Sequence, residues 1–310
     1  MTVAPAQIDL IRDTALKLED VDLITAYELM HLAHQLRPQG PFIKQKLDEY
    51  QIGLEESAKR KLQSLIDCGD LVIIPAGFRC FTKIQLEEQL GIKQATFPFD
   101  NGFFPPISIA NVLKKGIINL NSFNLDNANH CACIKLEDFE HDVLGRGIKF
   151  ITTSYEQIDS LAKSQEQPDI NCYLDSTFGY YTLDKENKFI LAHYNWHQFS
   201  DNSNSSGIQN LETNLKKANA LLNKRISRMF DRCNSAKYIL FVVGNFQEYN
   251  YMLIDDEKFS LNDYCELPKI CHDIWGEQCQ VSHFEEVDSA YKILKKLNLH
   301  KTLPTRRPDN

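Results

Sequence analysis

Apolar positions recur at helical spacing through the first 69 residues. Ile8, Ile11, Ala15 and Leu18 follow a 3-4-3 pattern, and Ala26, Leu29, Ala33 and Leu36 repeat it. Two amphipathic helices are therefore expected. The breakers between Arg37 and Pro41 end the second, and Pro41 suits the first turn of a third. Leu54, Ala58, Leu62 and Leu65 carry that third stripe to Asp67, and Gly69 punctuates its end. This stretch reads as an all-helical leader.

From Leu71 the pattern changes. Leu71 to Ile74 is an unbroken apolar run, β-branched at three positions, as expected of a strand buried on both faces. Pro75 to Gly77 ends it. Thr82 and Gln85 then have the spacing of a capping box, with Gly91 closing the helix that follows. Gln94 to Phe97 reads as a short strand, Ile107 to Lys114 as a helix and Ile148 to Thr152 as a strand. Ser154 and Gln157 open a further helix. Cys172 to Leu183 and Lys188 to Tyr194 read as two strands joined by a turn at Asp184 to Asn187. After a polar linker at Ser200 to Gly207, Leu211, Leu215, Ala218, Leu222, Ile226 and Met229 form one long helical stripe. Lys237 to Val243 is a second strongly apolar strand. Strands alternating with helices predict an α/β fold, with a mostly parallel sheet flanked by helices and an N-terminal all-helical extension. The expected boundaries are 1–69 for the leader, 70–300 for the α/β domain and 301–310 for a tail.

Composition narrows the class. With 310 residues, 43% hydrophobic and 25% charged, the chain has material for a large core in a soluble protein. A formal charge of −8 argues against a general nucleic-acid binder. No apolar run approaches a membrane span, and the first residues lack the pattern of a signal peptide. Nine cysteines, an odd number, read as reduced thiols in a cytosol, so a cytoplasmic protein is expected.

Chemistry concentrates around Cys80. It stands where a buried strand hands over to a helix, and the helix N-terminus lowers the pKa of a thiol placed there. A cysteine nucleophile also needs a proton carrier. His193 and His197, at the end of the second member of the strand pair, are the candidates. Asp100 or Asn245 would orient the imidazole, and the backbone N–H groups of Cys80 and Phe81 would receive an oxyanion. Arg79, Lys224, Arg225 and Arg228 are candidate anion contacts. The series Cys265, Cys271, His272, Cys279 and His283 lacks the paired spacing of a zinc site, and no metal or other cofactor is assigned. A single Gly77 without a phosphate-loop pattern supports no nucleotide site. His31 and His34, one turn apart, read as surface residues.

Two resemblances add to this. The segment Ala26 to Leu47 is similar to leaders of cyanobacterial sulfotransferase-like and glycosyltransferase-like proteins, which implies a helical adaptor able to bind another protein. Over residues 70 to 250, an ordered set of motifs resembles a bacterial family of papain-like cysteine peptidases of unknown function. The set begins with Gly77-Phe-Arg-Cys80 and Phe97-Pro-Phe-Asp100. His197-Gln-Phe199, Lys224-Arg-Ile-Ser-Arg228 and the strand Ile239 to Val243 follow in order. Asn101 and Val243 depart from the family's usual Trp and Arg. The resemblance implies Cys80 as nucleophile and His197 as base, with His193 as the alternative base and Asp100 in the preserved acidic element. The expected activity is cysteine-dependent acyl transfer on a peptide, acyl or glycan substrate. The alternatives are a transferase modifying surface polysaccharide, or a noncatalytic carbohydrate- or protein-binding module.

Overall fold

The computed structural model describes residues 4–120, 130–134, 147–153, 180–191, 211–244 and 249–303. Its helices are α1 (Pro5–Leu18), α2 (Leu23–Leu36), α3 (Pro41–Asp67), α4 (Phe81–Leu90), α5 (Pro106–Lys115), α6 (Leu211–Ser235), α7 (Leu267–Trp275) and α8 (Ala290–Lys296). The strands of the first half are β1 (Leu71–Pro75), β2 (Gly102–Phe103), β3 (His130–Ile134), β4 (Gly147–Thr153) and β5 (Tyr180–Asp184). Those of the second are β6 (Phe189–Leu191), β7 (Tyr238–Val243), β8 (Tyr251–Ile254), β9 (Glu257–Ser260) and β10 (Cys279–His283). The helix expected from Ser154 and the linker at Ser200 lie outside the described residues. Two compact units result. One comprises Met1–Cys68, Glu87–Lys93 and Glu285–Asn310, the other Gly69–Leu86 and Gln94–Phe284.

The helical unit is built on small residues. Ala15, Ala26 and Ala33 are fully buried beside Ile8, Met30, Ile43 and Tyr50, so the helices approach closely where their stripes meet. Asp22 caps α2, accepting from Thr25 N at 3.1 Å and from the Thr25 hydroxyl at 2.6 Å. Those bonds favour its ionised form and hold its pKa below the ordinary carboxylate value. Gly69, at φ +82°, turns the chain out of α3 in the left-handed conformation that glycine adopts without strain. The C-terminal segment from Glu285 belongs to this unit, whereas the sequence boundaries placed it largely in the α/β domain. The reason lies in side chains of α3. Both oxygens of Glu55 accept the first N–H groups of α8, Ala290 at 2.8 Å and Tyr291 at 3.1 Å, and Lys61 Nζ donates to Leu299 O at 2.8 Å.

The second unit holds two sheets instead of one mostly parallel sheet. The smaller is all parallel, in the order β1-β7-β10. Val72, Ile74 and Ala76 share a core with Ile239, Phe241 and Val243 of the central strand. The stripe Ala218, Leu222, Ile226 and Met229 of α6 packs there as well, with Ile270 and Trp275 of α7. Trp275 stacks on Phe241, the ring centroids 5.5 Å apart. The larger sheet runs β2-β6-β5-β3-β4-β8-β9 and is antiparallel except where β4 pairs β8. Connection length explains the difference. β5 and β6 are joined by the Asp184 to Lys188 turn, and β8 and β9 by Asp255 and Asp256, links too short for the crossover that a parallel pair requires. Lys188 and Asp255 take the left-handed conformation in those turns, at φ 62° and 52°. The Asp255 carboxylate also binds Thr152, accepting from its N at 2.8 Å and its hydroxyl at 2.9 Å.

Candidate functional site

The carboxyl end of β1 positions the candidate nucleophile. Pairing with β7 continues past the strand, because Ala76 N donates to Val242 O at 2.8 Å and Phe78 N to Gly244 O at 3.2 Å. Phe78 O in turn accepts Phe104 N at 2.9 Å. The chain then turns into α4, whose first residue is Phe81, and Cys80 O accepts Ile84 N at 3.2 Å. Cys80 is therefore the cap residue, half-buried, and the N–H groups of Cys80 and Phe81 belong to the turn that opens the helix. Arg79 is also half-buried. Its guanidinium lies 4.7 Å from the Phe103 ring centre and 5.7 Å from that of Phe81.

Thr82 does not cap α4, contrary to its capping-box spacing. It lies inside the first turn, 1% exposed, and its hydroxyl has no hydrogen-bond partner among the described residues. The side chain is seated against the backbone at Gly77. That packing withdraws it from the helix end and leaves the cap position to Cys80.

Asp100 occupies a turn, not the loop after a strand. Gln94 to Phe97 forms no strand, and Gln94 Nε2 donates to Ile73 O at 2.7 Å, occupying a β1 carbonyl from the side. Pro98–Asn101 makes a 3-10 turn, and Asp100 Oδ2 accepts Phe97 N at 2.7 Å. Lys83 Nζ lies 3.5 Å from the same oxygen and 3.2 Å from Thr96 Oγ1. Burial disfavours the charged form and pushes the Asp100 pKa up to about 6. The Phe97 N–H, Lys83 and the more distant Arg225 pull it down without overcoming that effect.

The three cations of α6 separate. Lys224 is exposed and Arg228 half-buried, while Arg225 is 5% exposed and its charge acts on Asp100. A sequence signal for its burial existed, since Arg225 lies three residues after Leu222 and four before Met229, on the apolar stripe. Lys83 carried no such signal beyond standing three residues after Cys80. His193, His197 and Asn245 lie outside the described residues. His31 is exposed and bonds Gln35 at 3.0 Å.

The cysteine and histidine series near the C-terminus is divided between core and surface. Cys271 and Cys279 are buried in one core with Cys233, whereas Cys265, His272 and His283 are exposed. The Cys271 thiol hydrogen-bonds Cys279, which together with burial pushes its pKa up. Among the described residues no three His, Cys, Asp or Glu side chains converge as a metal site would require. A cavity of about 290 Å³ between α5 and β9 is lined by Ile107, Ala110, Phe259, Tyr264 and Leu267, and includes neither Cys80 nor Asp100. No described helix is long and apolar enough to cross a membrane. Comparison of the chain with protein-family models, with curated proteins and with solved structures returned no match.

Proposed function

We propose that the chain is a cysteine-dependent hydrolase or acyl-transfer enzyme with Cys80 as its nucleophile. The observation that carries this reading is the position of Cys80, half-buried as the cap of α4 and just past the carboxyl end of β1 in an all-parallel sheet. A helix start presents N–H groups that have no partner within the helix, and the carboxyl edge of a parallel sheet is where α/β proteins bind ligands. In the reaction, the Cys80 thiolate adds to an acyl carbon while His197 holds the thiol proton. The N–H groups of Cys80 and Phe81 receive the oxyanion. Collapse forms a thioester, and the leaving group departs with the proton from His197. Water or an acceptor then attacks the thioester, returning its proton through His197 and releasing the thiolate. Asp100 enters as a positioning group, since its Oδ2 is engaged by Phe97 N and Lys83. Cys68, Cys80, Cys233, Cys265, Cys271 and Cys279 are free thiols, which supports a cytoplasmic location.

The test is the pH dependence of iodoacetamide alkylation at Cys80 in the parent and in His197→Ala. A thiolate–imidazolium pair gives rapid labelling well below pH ~8, moving toward the free-thiol value of about 8.5 in the variant. Slow labelling at every pH would reject the nucleophile and favour a noncatalytic binding module. Identical profiles in the two proteins would reject His197 as the base.

A further inference from the structure

We propose that Lys83 is a positioning residue for Cys80, tying the 94–101 segment to the helix turn that presents the thiol. Lys83 stands three residues after Cys80, in the first turn of α4. Its side chain is 19% exposed, and its ammonium reaches Thr96 Oγ1 at 3.2 Å and Asp100 Oδ2 at 3.5 Å. Lysine tails at a surface pair weakly and move freely. Here the partners are a hydroxyl and a carboxylate that is 1% exposed, and both belong to one short segment.

That segment has a second attachment. Gln94 Nε2 donates to Ile73 O, in the strand that leads to Cys80. The 94–101 segment thus holds the strand seven residues before Cys80 and the helix three residues after it. The intervening turn, Ala76 to Cys80, is spanned from both sides. Asp100 completes the brace by accepting Phe97 N at 2.7 Å, which fixes the carboxylate in the orientation that Lys83 meets.

Charge links the brace to pH. Among the described residues, the charged groups that act on Asp100 are Lys83 from α4 and Arg225 from α6. Protonation of the carboxyl removes the charge that attracts the ammonium, while the Thr96 hydroxyl stays within reach of Lys83 at 3.2 Å. The presentation of Cys80 is then coupled to a titration other than that of the thiol or its base. The inference rests on Cys80 being the nucleophile, and its test separates the two ideas.

The test uses the full chain and Lys83→Met, Lys83→Arg and Thr96→Val. Asp100 is titrated by carbon NMR of its carboxyl group, and iodoacetamide labelling of Cys80 is read relative to the exposed Cys68. In Lys83→Met the Asp100 pKa should rise by roughly one unit or more, and Cys80 labelling at pH 7.5 should fall several-fold toward the Cys68 rate. Thr96→Val should slow Cys80 with little change in the Asp100 titration, while Lys83→Arg should retain most of both. These two variants carry the test should Lys83→Met not fold. Unchanged Cys80 labelling in Lys83→Met or in Thr96→Val overturns the positioning role, even where Asp100 titrates higher. A parent in which Cys80 labels no faster than Cys68 overturns the nucleophile reading and the inference with it. The Asp100 titration shift still measures the Lys83–Asp100 pair in that case.

Discussion

Gly77 lies directly against Thr82. A methyl group on Gly77 would overlap the Thr82 hydroxyl and come within 2.7 Å of the Gly244 carbonyl oxygen. The turn from β1 into α4 therefore depends on the absence of a side chain at one position. Gly77→Ala should destabilise the protein by about 1–3 kcal/mol, the usual range for overpacking, and should alter Cys80 labelling. Adding Thr82→Ala should recover only part of the loss, because the Gly244 contact persists. Urea unfolding of the two variants checks this, and full recovery in the double variant would assign the whole conflict to Thr82.

Asp100 makes stability fall with rising pH. Its folded-state pKa of about 6 lies above the ordinary carboxylate value of 3.8. The folded state therefore binds the proton more tightly than the unfolded chain. The resulting contribution is fully present below about pH 4 and is lost as pH rises through 6. A displacement of roughly two units corresponds to about 3 kcal/mol. The stability of the parent minus that of Asp100→Asn should decline by this order between pH 4 and 7. Urea titrations of both proteins across the range measure it, and a flat or rising difference would contradict the raised pKa.

Six of the cysteines should label in an order that exposure alone does not give. Cys68 and Cys265 are exposed, Cys80 is half-buried, and Cys233, Cys271 and Cys279 are buried. Asp263 raises the Cys265 pKa, and burial raises that of Cys233, so neither gains thiolate at neutral pH. In the native protein at pH 7, iodoacetamide should modify Cys80 before Cys68 and Cys265. Cys233, Cys271 and Cys279 should react only after unfolding. Peptide mapping by mass spectrometry at short times reads this order directly.

Glu55 should stabilise the C-terminal helix through two charge-assisted bonds. Its oxygens serve N–H groups that otherwise have no partner within α8. Glu55→Ala should cost about 1–2 kcal/mol, as the loss of a good cap does. Amide exchange at Ala290 and Tyr291 should accelerate more than exchange in α1. Equal changes in both places would indicate a global effect instead.

Much of the architecture was legible because it follows one-dimensional periodicity. The stripes of α1, α2, α3 and α6 mark a single buried face, and a helix expresses that face without help from distant residues. β1 and β7 were legible as apolar runs, which only a strand covered on both sides tolerates. Cys80 at the junction of strand and helix was legible for the same reason. The partnership of strands was not, because hydrogen bonding between β4 and β8 or β7 and β10 depends on register between residues far apart. Periodicity carries no information about which edge they meet. Tertiary packing alone decided that two sheets form, that Glu55 draws the last helix to the N-terminal unit, and that Cys80 caps α4 in place of Thr82. It also turned Arg225 inward and brought Lys83 to Asp100. Each of those outcomes depends on a close approach between separate elements, and the local sequence specifies the groups but not the distance between them.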